Sequence, residues 1–260
     1  MRCEEILNVL ESLSGPELAF DWDNVGLLVG ERNQQIHSIY VALDASDEVI
    51  EHAIKSKADL LITHHPLIFS GLKKVTSEEM IGRRTMQLIR HHISYIAMHT
   101  NFDVTVMADL AAARMHLFEC QILQKSAQSG NATYGIGKIG LLPSQMTLKE
   151  CAEMVKRVFE LEGVKVFGDL EQIVKKAAIT PGSGKSTIPD AIRASADVLI
   201  TGDIDHHNGI DAVANGLCII DAGHYGIEHI FTSYMTQFLQ QQFPDLLVTK
   251  EPDLHPYKLV

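Results

Sequence analysis

Apolar and polar positions along this 260-residue chain fall into two repeating patterns, and their spacing predicts most of its regular elements. Ile6, Leu7, Leu10 and Leu13 recur at helical period, so a helix is expected over 4–13. Short, nearly continuous apolar runs predict buried strands near 37–43, 59–63 and 93–98, with helices at 46–57 and 77–91 between them. Strands that alternate with helices imply an α/β fold with a mostly parallel sheet covered on both faces. The small polar run Lys125-Ser126-Ala127-Gln128-Ser129-Gly130-Asn131 reads as a boundary. A second α/β unit is expected beyond it, with strands near 134–141, 164–167, 175–180 and 197–201 and a helix over 147–160. Leu217–Ile220 is another strand-like run, and a last helix is expected over about 225–242. The domain expectation is therefore 1–125, completed by about 225–260, and 126–224.

Candidate chemistry gathers where these strands end. Leu60-Leu61-Ile62-Thr63 runs into His64-His65-Pro66, and open α/β sheets collect ligands at the carboxyl ends of their strands. Neighbouring strand residues face opposite ways, so two adjacent imidazoles serve one site only where the backbone turns, as Pro66 implies. An isolated His-His pair is more often one core and one surface residue, so further partners are required. Asp103 follows the run Ile93–Met98 through His99-Thr100-Asn101-Phe102. After Leu217–Ile220 comes Asp221-Ala222-Gly223-His224, and a helix opening near Gly223 would put His224 and Glu228 on one face. Three histidines and two carboxylates exceed the usual donor set of one catalytic zinc and suit a pair of ions. Imidazole with carboxylate favours zinc, iron, manganese or nickel over calcium or magnesium. No cysteine adjoins these positions, which disfavours a closed thiolate site.

The segments Asp21-Trp22-Asp23-Asn24-Val25-Gly26-Leu27-Leu28-Val29-Gly30, Ile62-Thr63-His64-His65-Pro66-Leu67, His99-Thr100-Asn101-Phe102-Asp103, Ile200-Thr201-Gly202-Asp203-Ile204 and Asp221-Ala222-Gly223-His224 resemble the YbgI-like family, also called Ngg-interacting-factor-three-like. Many of its members carry the label "GTP cyclohydrolase I type 2". The resemblance implies two interlinked three-layer α/β domains with mostly parallel or mixed sheets, a dinuclear metal site in the cleft between them, and a ring-shaped homohexamer. Its ligand pattern falls on His64, His65, Asp103, His224 and Glu228, and family analogy places the Trp22-Asp23-Asn24 loop near the substrate. After Asp103 many relatives have a Gly-rich turn, whereas this chain reads Val104-Thr105-Val106-Met107-Ala108-Asp109. A differently shaped loop is expected there, which bears on substrate more than on metal.

Composition narrows the function classes. The 22 basic residues against 33 acidic ones leave a formal net charge of −11, which argues against general nucleic-acid binding and against an anionic membrane partner. Four scattered cysteines without C-x-x-C spacing, no long apolar N-terminal run and no 18-residue apolar stretch fit a cytoplasmic protein. Pro181-Gly182-Ser183-Gly184-Lys185-Ser186 is close to a phosphate-binding P-loop, but Ile179 stands where that motif needs glycine. The amides of Ser183 and Gly184 remain candidates for receiving an anion. His206-His207 forms one more strand-end cluster, and His207 and His99 are candidate proton donors beside Glu228. His91-His92 is explained by a helix C-terminus, where cationic side chains favour the dipole. The leading reading is a metal-dependent hydrolase of a small molecule, a nucleotide or a purine ring as the cyclohydrolase label implies. The alternatives are a metal-handling protein without turnover and a regulatory ring whose metals serve stability.

Overall fold

The computed structural model describes residues 1–129, 132–252 and 256–258. The chain forms two compact units, Met1–Phe102 with Phe231–Leu254, and Asp103–Ile230 with His255–Val260. Each is α/β and is built on one mixed sheet. No helix among the described residues is long and apolar enough to cross a membrane.

In the first unit the strand order is Gly26–Val29, Ser94–Ala97, Leu60–Thr63, Ser38–Ala42, Leu247–Lys250. The last four run parallel, and Gly26–Val29 pairs antiparallel at the edge. The two central strands, Leu60–Thr63 and Ser94–Ala97, are buried at every position, as expected of strands covered on both faces. Helix Cys3–Leu13 buries Ile6, Leu7 and Leu10 along one stripe. Helix Asp47–Lys55 is started by Ser46, whose hydroxyl accepts from the Val49 amide at 3.1 Å, and it buries Val49, Ile50 and Ala53. Register aligns Ala42 with Thr63 and Thr63 with Ala97, so three strands end level. Whatever follows them in sequence emerges along one sheet edge.

Tyr95 pins the turn that leaves this edge. Its ring is fully buried. The phenol lies 2.7 Å from the Thr63 hydroxyl, receives the Leu67 amide at 2.8 Å and donates to the His65 carbonyl at 3.0 Å. The Thr63 hydroxyl also donates to the His65 carbonyl at 2.7 Å. Burial pushes the phenol up to about 12, so it stays protonated.

The second unit carries six strands in the order Phe118–Ser129, Ala132–Thr147, Ile173–Ser183, Val198–Gly202, Cys218–Asp221, Lys165–Phe167. A long antiparallel hairpin leads into a parallel core, and Lys165–Phe167 closes the far edge antiparallel. The polar run Lys125–Ser129 belongs to that hairpin. Positions 130 and 131 lie outside the described residues. Helix Leu148–Val158 opens on a reciprocal Thr147–Glu150 cap. The expected last helix is two, His224–Glu228 and Ile230–Gln242. Gly202 ends its strand against the backbone of the next crossing: a Cβ there would lie 2.5 Å from the Gly223 carbonyl carbon and the His224 nitrogen. Only glycine lets these two strand ends approach so closely.

Two stability outcomes follow. Tyr95→Phe leaves the Leu67 amide without its acceptor and should lower the unfolding free energy by about 1–3 kcal/mol; an unchanged urea midpoint would contradict the clamp. Gly202→Ala should cost roughly 1–3 kcal/mol through forced backbone displacement, read as a lower melting temperature, and parent-like melting would show that the strand ends have room.

Candidate metal centre

His64 and His65 leave the strand Leu60–Thr63 at the common edge of the first sheet. His64 is buried, and its Nδ1 lies 2.8 Å from the Met98 carbonyl. A carbonyl only accepts, so Nδ1 carries the hydrogen and Nε2 keeps the lone pair. His65 Nδ1 meets Asp44 Oδ1 at 2.8 Å, with the same consequence. Asp44 stands two residues beyond the neighbouring strand Ser38–Ala42, on the same edge. His99 emerges from the third level strand, Ser94–Ala97, and its Nδ1 lies 2.9 Å from Asp23 Oδ1. Ligand atoms of His64, His65 and His99 all fall within 4.8 Å of one another. Three imidazoles, each turned by an oxygen acceptor, are the arrangement through which proteins orient metal-binding histidines.

The Trp22-Asp23-Asn24 loop adjoins this cluster. The Asp23 carboxylate is wholly shielded and also accepts from the Thr100 amide at 3.0 Å and from its hydroxyl at 2.5 Å. Burial alone would raise its pKa, but the bonds from His99 and Thr100 outweigh that and hold it at about 2. Asn24 Nδ2 donates to the Ile68 carbonyl at 2.6 Å and ties the loop to the segment after Pro66. Trp22 lies with its ring centroid 6.0 Å from that of His99.

In the second unit His224 opens the short helix His224–Glu228, entered through Gly223 at a φ of 77°. One helical turn apart, His224 Nε2 and Glu228 Oε2 are 3.0 Å from each other. His224 Nδ1 meets Asp203 Oδ2 at 2.8 Å, so a carboxylate oxygen stands at each nitrogen of the ring. Asp203 follows the strand Val198–Gly202 and adopts a left-handed φ of 58°, which a short polar side chain tolerates. Glu228 is buried, and a Cβ on Gly182 would sit 2.2 Å from its Oε1, so glycine is what admits the carboxylate. Asp103 opens the π turn Asp103–Met107, where the glycine-poor run after it continues as helix into Ala108–Arg114. Ligand oxygens of Asp103 and Glu228 lie within 4.8 Å. Two carboxylates this close, one of them buried, repel unless positive charge stands with them.

The remaining candidates fall elsewhere. His206 and His207 begin the helix His206–Ala214, exposed, and neither belongs to a metal-donor cluster among the described residues. Ser183 is exposed at its strand end, and Gly184 packs where a Cβ would meet Thr201 Oγ1 at 2.0 Å. The helix after them, Ile188–Arg193, has six residues, and Lys185 is engaged by Asp205 at 2.8 Å. A cavity of about 380 Å³ lined by Lys165, Asp203, Asp221, Gly223 and Tyr257 flanks the His224 end of the second unit. The larger one, about 790 Å³, holds Glu31, Asp59, His91 and His92 and sits at the opposite strand ends of the first sheet. Sequence reasoning missed the orienting groups Asp44, Asp203 and the Met98 carbonyl. The signal was present, since Asp44 and Asp203 each stand just past an apolar run neighbouring a histidine-bearing one.

The chain matches the family model described as Duf34/NIF3 (NGG1p interacting factor 3) over residues 1–252. It is 35% identical over 230 residues to a Clostridium perfringens protein named "GTP cyclohydrolase 1 type 2 homolog", covering 88% of this chain and 87% of that one. A Streptococcus pneumoniae protein of the same name is 33% identical, with 93% and 91% covered. Among solved structures, Staphylococcus aureus hypothetical protein SA1388 superposes with a TM-score of 0.91 at 28% identity over 100% of this chain and 99% of that one. Reduced HcgD from Methanocaldococcus jannaschii does so with 0.82 at 29% identity over 96% and 97%. A match across nearly the whole chain, in sequence and in fold, places it: this protein belongs to the Duf34/NIF3 family.

Proposed function

We propose that His64, His65, Asp103, His224 and Glu228 hold two divalent transition-metal ions, zinc, iron, manganese or nickel, and that the protein is a metal-dependent hydrolase of a small molecule. The observation that carries this reading is the oxygen atom held against Nδ1 of each of three histidines. Met98, Asp44 and Asp203 place oxygen atoms at Nδ1 of His64, His65 and His224, the arrangement that orients a metal-binding imidazole, and at His224 the opposite nitrogen lies 3.0 Å from Glu228 Oε2. The Asp103–Glu228 carboxylate pair adds the negative charge such ions require. Bound ions of this kind supply Lewis-acid polarisation and bring the pKa of water toward neutrality.

The chain's own residues then divide the remaining work. Asp44 and Asp203 keep two imidazoles aimed. His99, held by Asp23 and clustered with His64 and His65, is better placed than the exposed His207 to take up a proton and pass it to a leaving group. Glu228, buried beside His224, is the carboxylate suited to accept one from water. The name carried by the Clostridium and Streptococcus relatives directs the first substrate search to nucleotides and purine rings. The homohexameric ring belongs to the same proposal and is read by sedimentation velocity.

Elemental analysis of the purified protein should find transition metal, depleted in both His64→Ala and Glu228→Gln; full occupancy in either variant would remove that residue from the ligand set. Asp44→Asn should weaken metal binding by roughly 10–100-fold in a competition titration with a chromogenic chelator, and an unchanged affinity would deny the orienting role. Metal-loaded protein incubated with GTP should release formate in a direct assay. If neither formate nor any turnover of nucleotides and phosphoesters is found while metal remains bound, the hydrolase reading fails, leaving metal handling or a regulatory assembly.

A further inference from the structure

The only tryptophan of the chain, Trp22, is 56% exposed, although indole is among the side chains that gain most from burial. It is not a loose surface ring. Its centroid lies 5.5 Å from Phe20 and 5.6 Å from Phe69, itself 49% exposed. The loop that carries it is tied on both sides. The Phe20 amide donates to the Thr100 hydroxyl at 3.0 Å, Asp23 takes three hydrogen bonds from His99 and Thr100, and Asn24 grips the Ile68 carbonyl. The ring is thus presented, already ordered, beside His99, whose centroid is 5.2 Å from His64 and 5.6 Å from His65.

We propose that Trp22, flanked by Phe69, is a stacking platform for a planar heteroaromatic ring of the substrate, with the His99 imidazole at the ring's edge. The neighbouring groups select this class. An aliphatic ligand would leave the imidazole edge unmatched, whereas a heterocycle offers a π face to the indole and hydrogen-bonding atoms to His99. An organic cation would also suit an indole face, but the adjoining histidine cluster is the one assigned to metal ions, and like charges repel. That last step rests on the metal reading, whereas the platform itself rests on exposure and tethering.

The test uses Trp22 as its own reporter, because no other tryptophan contributes to the fluorescence. Titrating the metal-loaded full chain with guanosine 5′-monophosphate should quench the emission saturably, while ribose 5-phosphate and tetramethylammonium should not. By calorimetry, Trp22→Ala should weaken binding of the same nucleotide by roughly 5- to 100-fold, and Trp22→Phe should stay within about threefold of the parent. Metal content, measured in parallel, should be the same in both variants and the parent, so loss of metal binding and loss of stacking are told apart. Absence of saturable quenching by the nucleotide, equal quenching by ribose 5-phosphate or tetramethylammonium, or parent-like affinity in Trp22→Ala would each overturn the platform.

Discussion

The candidate metal centre depends on what holds the ring of each histidine that lines it. A neutral histidine can offer only one lone pair, and the partner of the other nitrogen decides which. Here that partner is always an oxygen acceptor: the Met98 carbonyl for His64, Asp44 for His65, Asp23 for His99 and Asp203 for His224. All four contacts involve Nδ1, and at His224 the opposite nitrogen meets Glu228 Oε2 at 3.0 Å. Without those acceptors the rings could rotate or take the other tautomer, and the same four residues would be ordinary polar side chains at strand ends.

The acceptors stand where they do because both sheets use their carboxyl edges in the same way. In the first unit Ser38–Ala42, Leu60–Thr63 and Ser94–Ala97 end level, and the residues just beyond them are Asp44, the tandem histidines and His99. In the second, Val198–Gly202 and Cys218–Asp221 run in parallel register, and the residues beyond them are Asp203 and His224. In each unit a carboxylate from one strand end turns the imidazole from the next. Parallel pairing makes this possible, since it brings equivalent ends together, and it needs buried, nearly uniform apolar strands to hold the edge in place. The glycines at 182 and 202 serve the same end by clearing backbone space around Glu228 and His224.

The fold was largely legible along the chain. Helices near 4–13, 46–57, 77–91 and 147–160 and strands near 37–43, 59–63, 93–98, 164–167 and 197–201 occur within a few residues of those positions. Their apolar periods are clean because both faces of each central strand are covered. The strands Phe118–Ser129 and Leu247–Lys250 escaped because each mixes polar residues into its apolar positions and neither forms the continuous apolar run that marked the buried strands. The π turn at Asp103–Met107 escaped as well, since a single wider turn leaves no periodic trace.

For the candidate centre, sequence by itself supplied the candidate donors and their stations: a histidine pair, an aspartate and a His-x-x-x-Glu pair, each following an apolar run. That much is local, because strand and turn propensities are set by neighbouring residues. Tertiary structure decided what those donors do within each unit. It oriented the imidazoles through Asp44, Asp203 and the Met98 carbonyl, joined His99 to the tandem imidazoles, and left Trp22 ordered but uncovered. These are contacts between strands remote in sequence, and they exist only once parallel pairing has placed one strand's end beside another's.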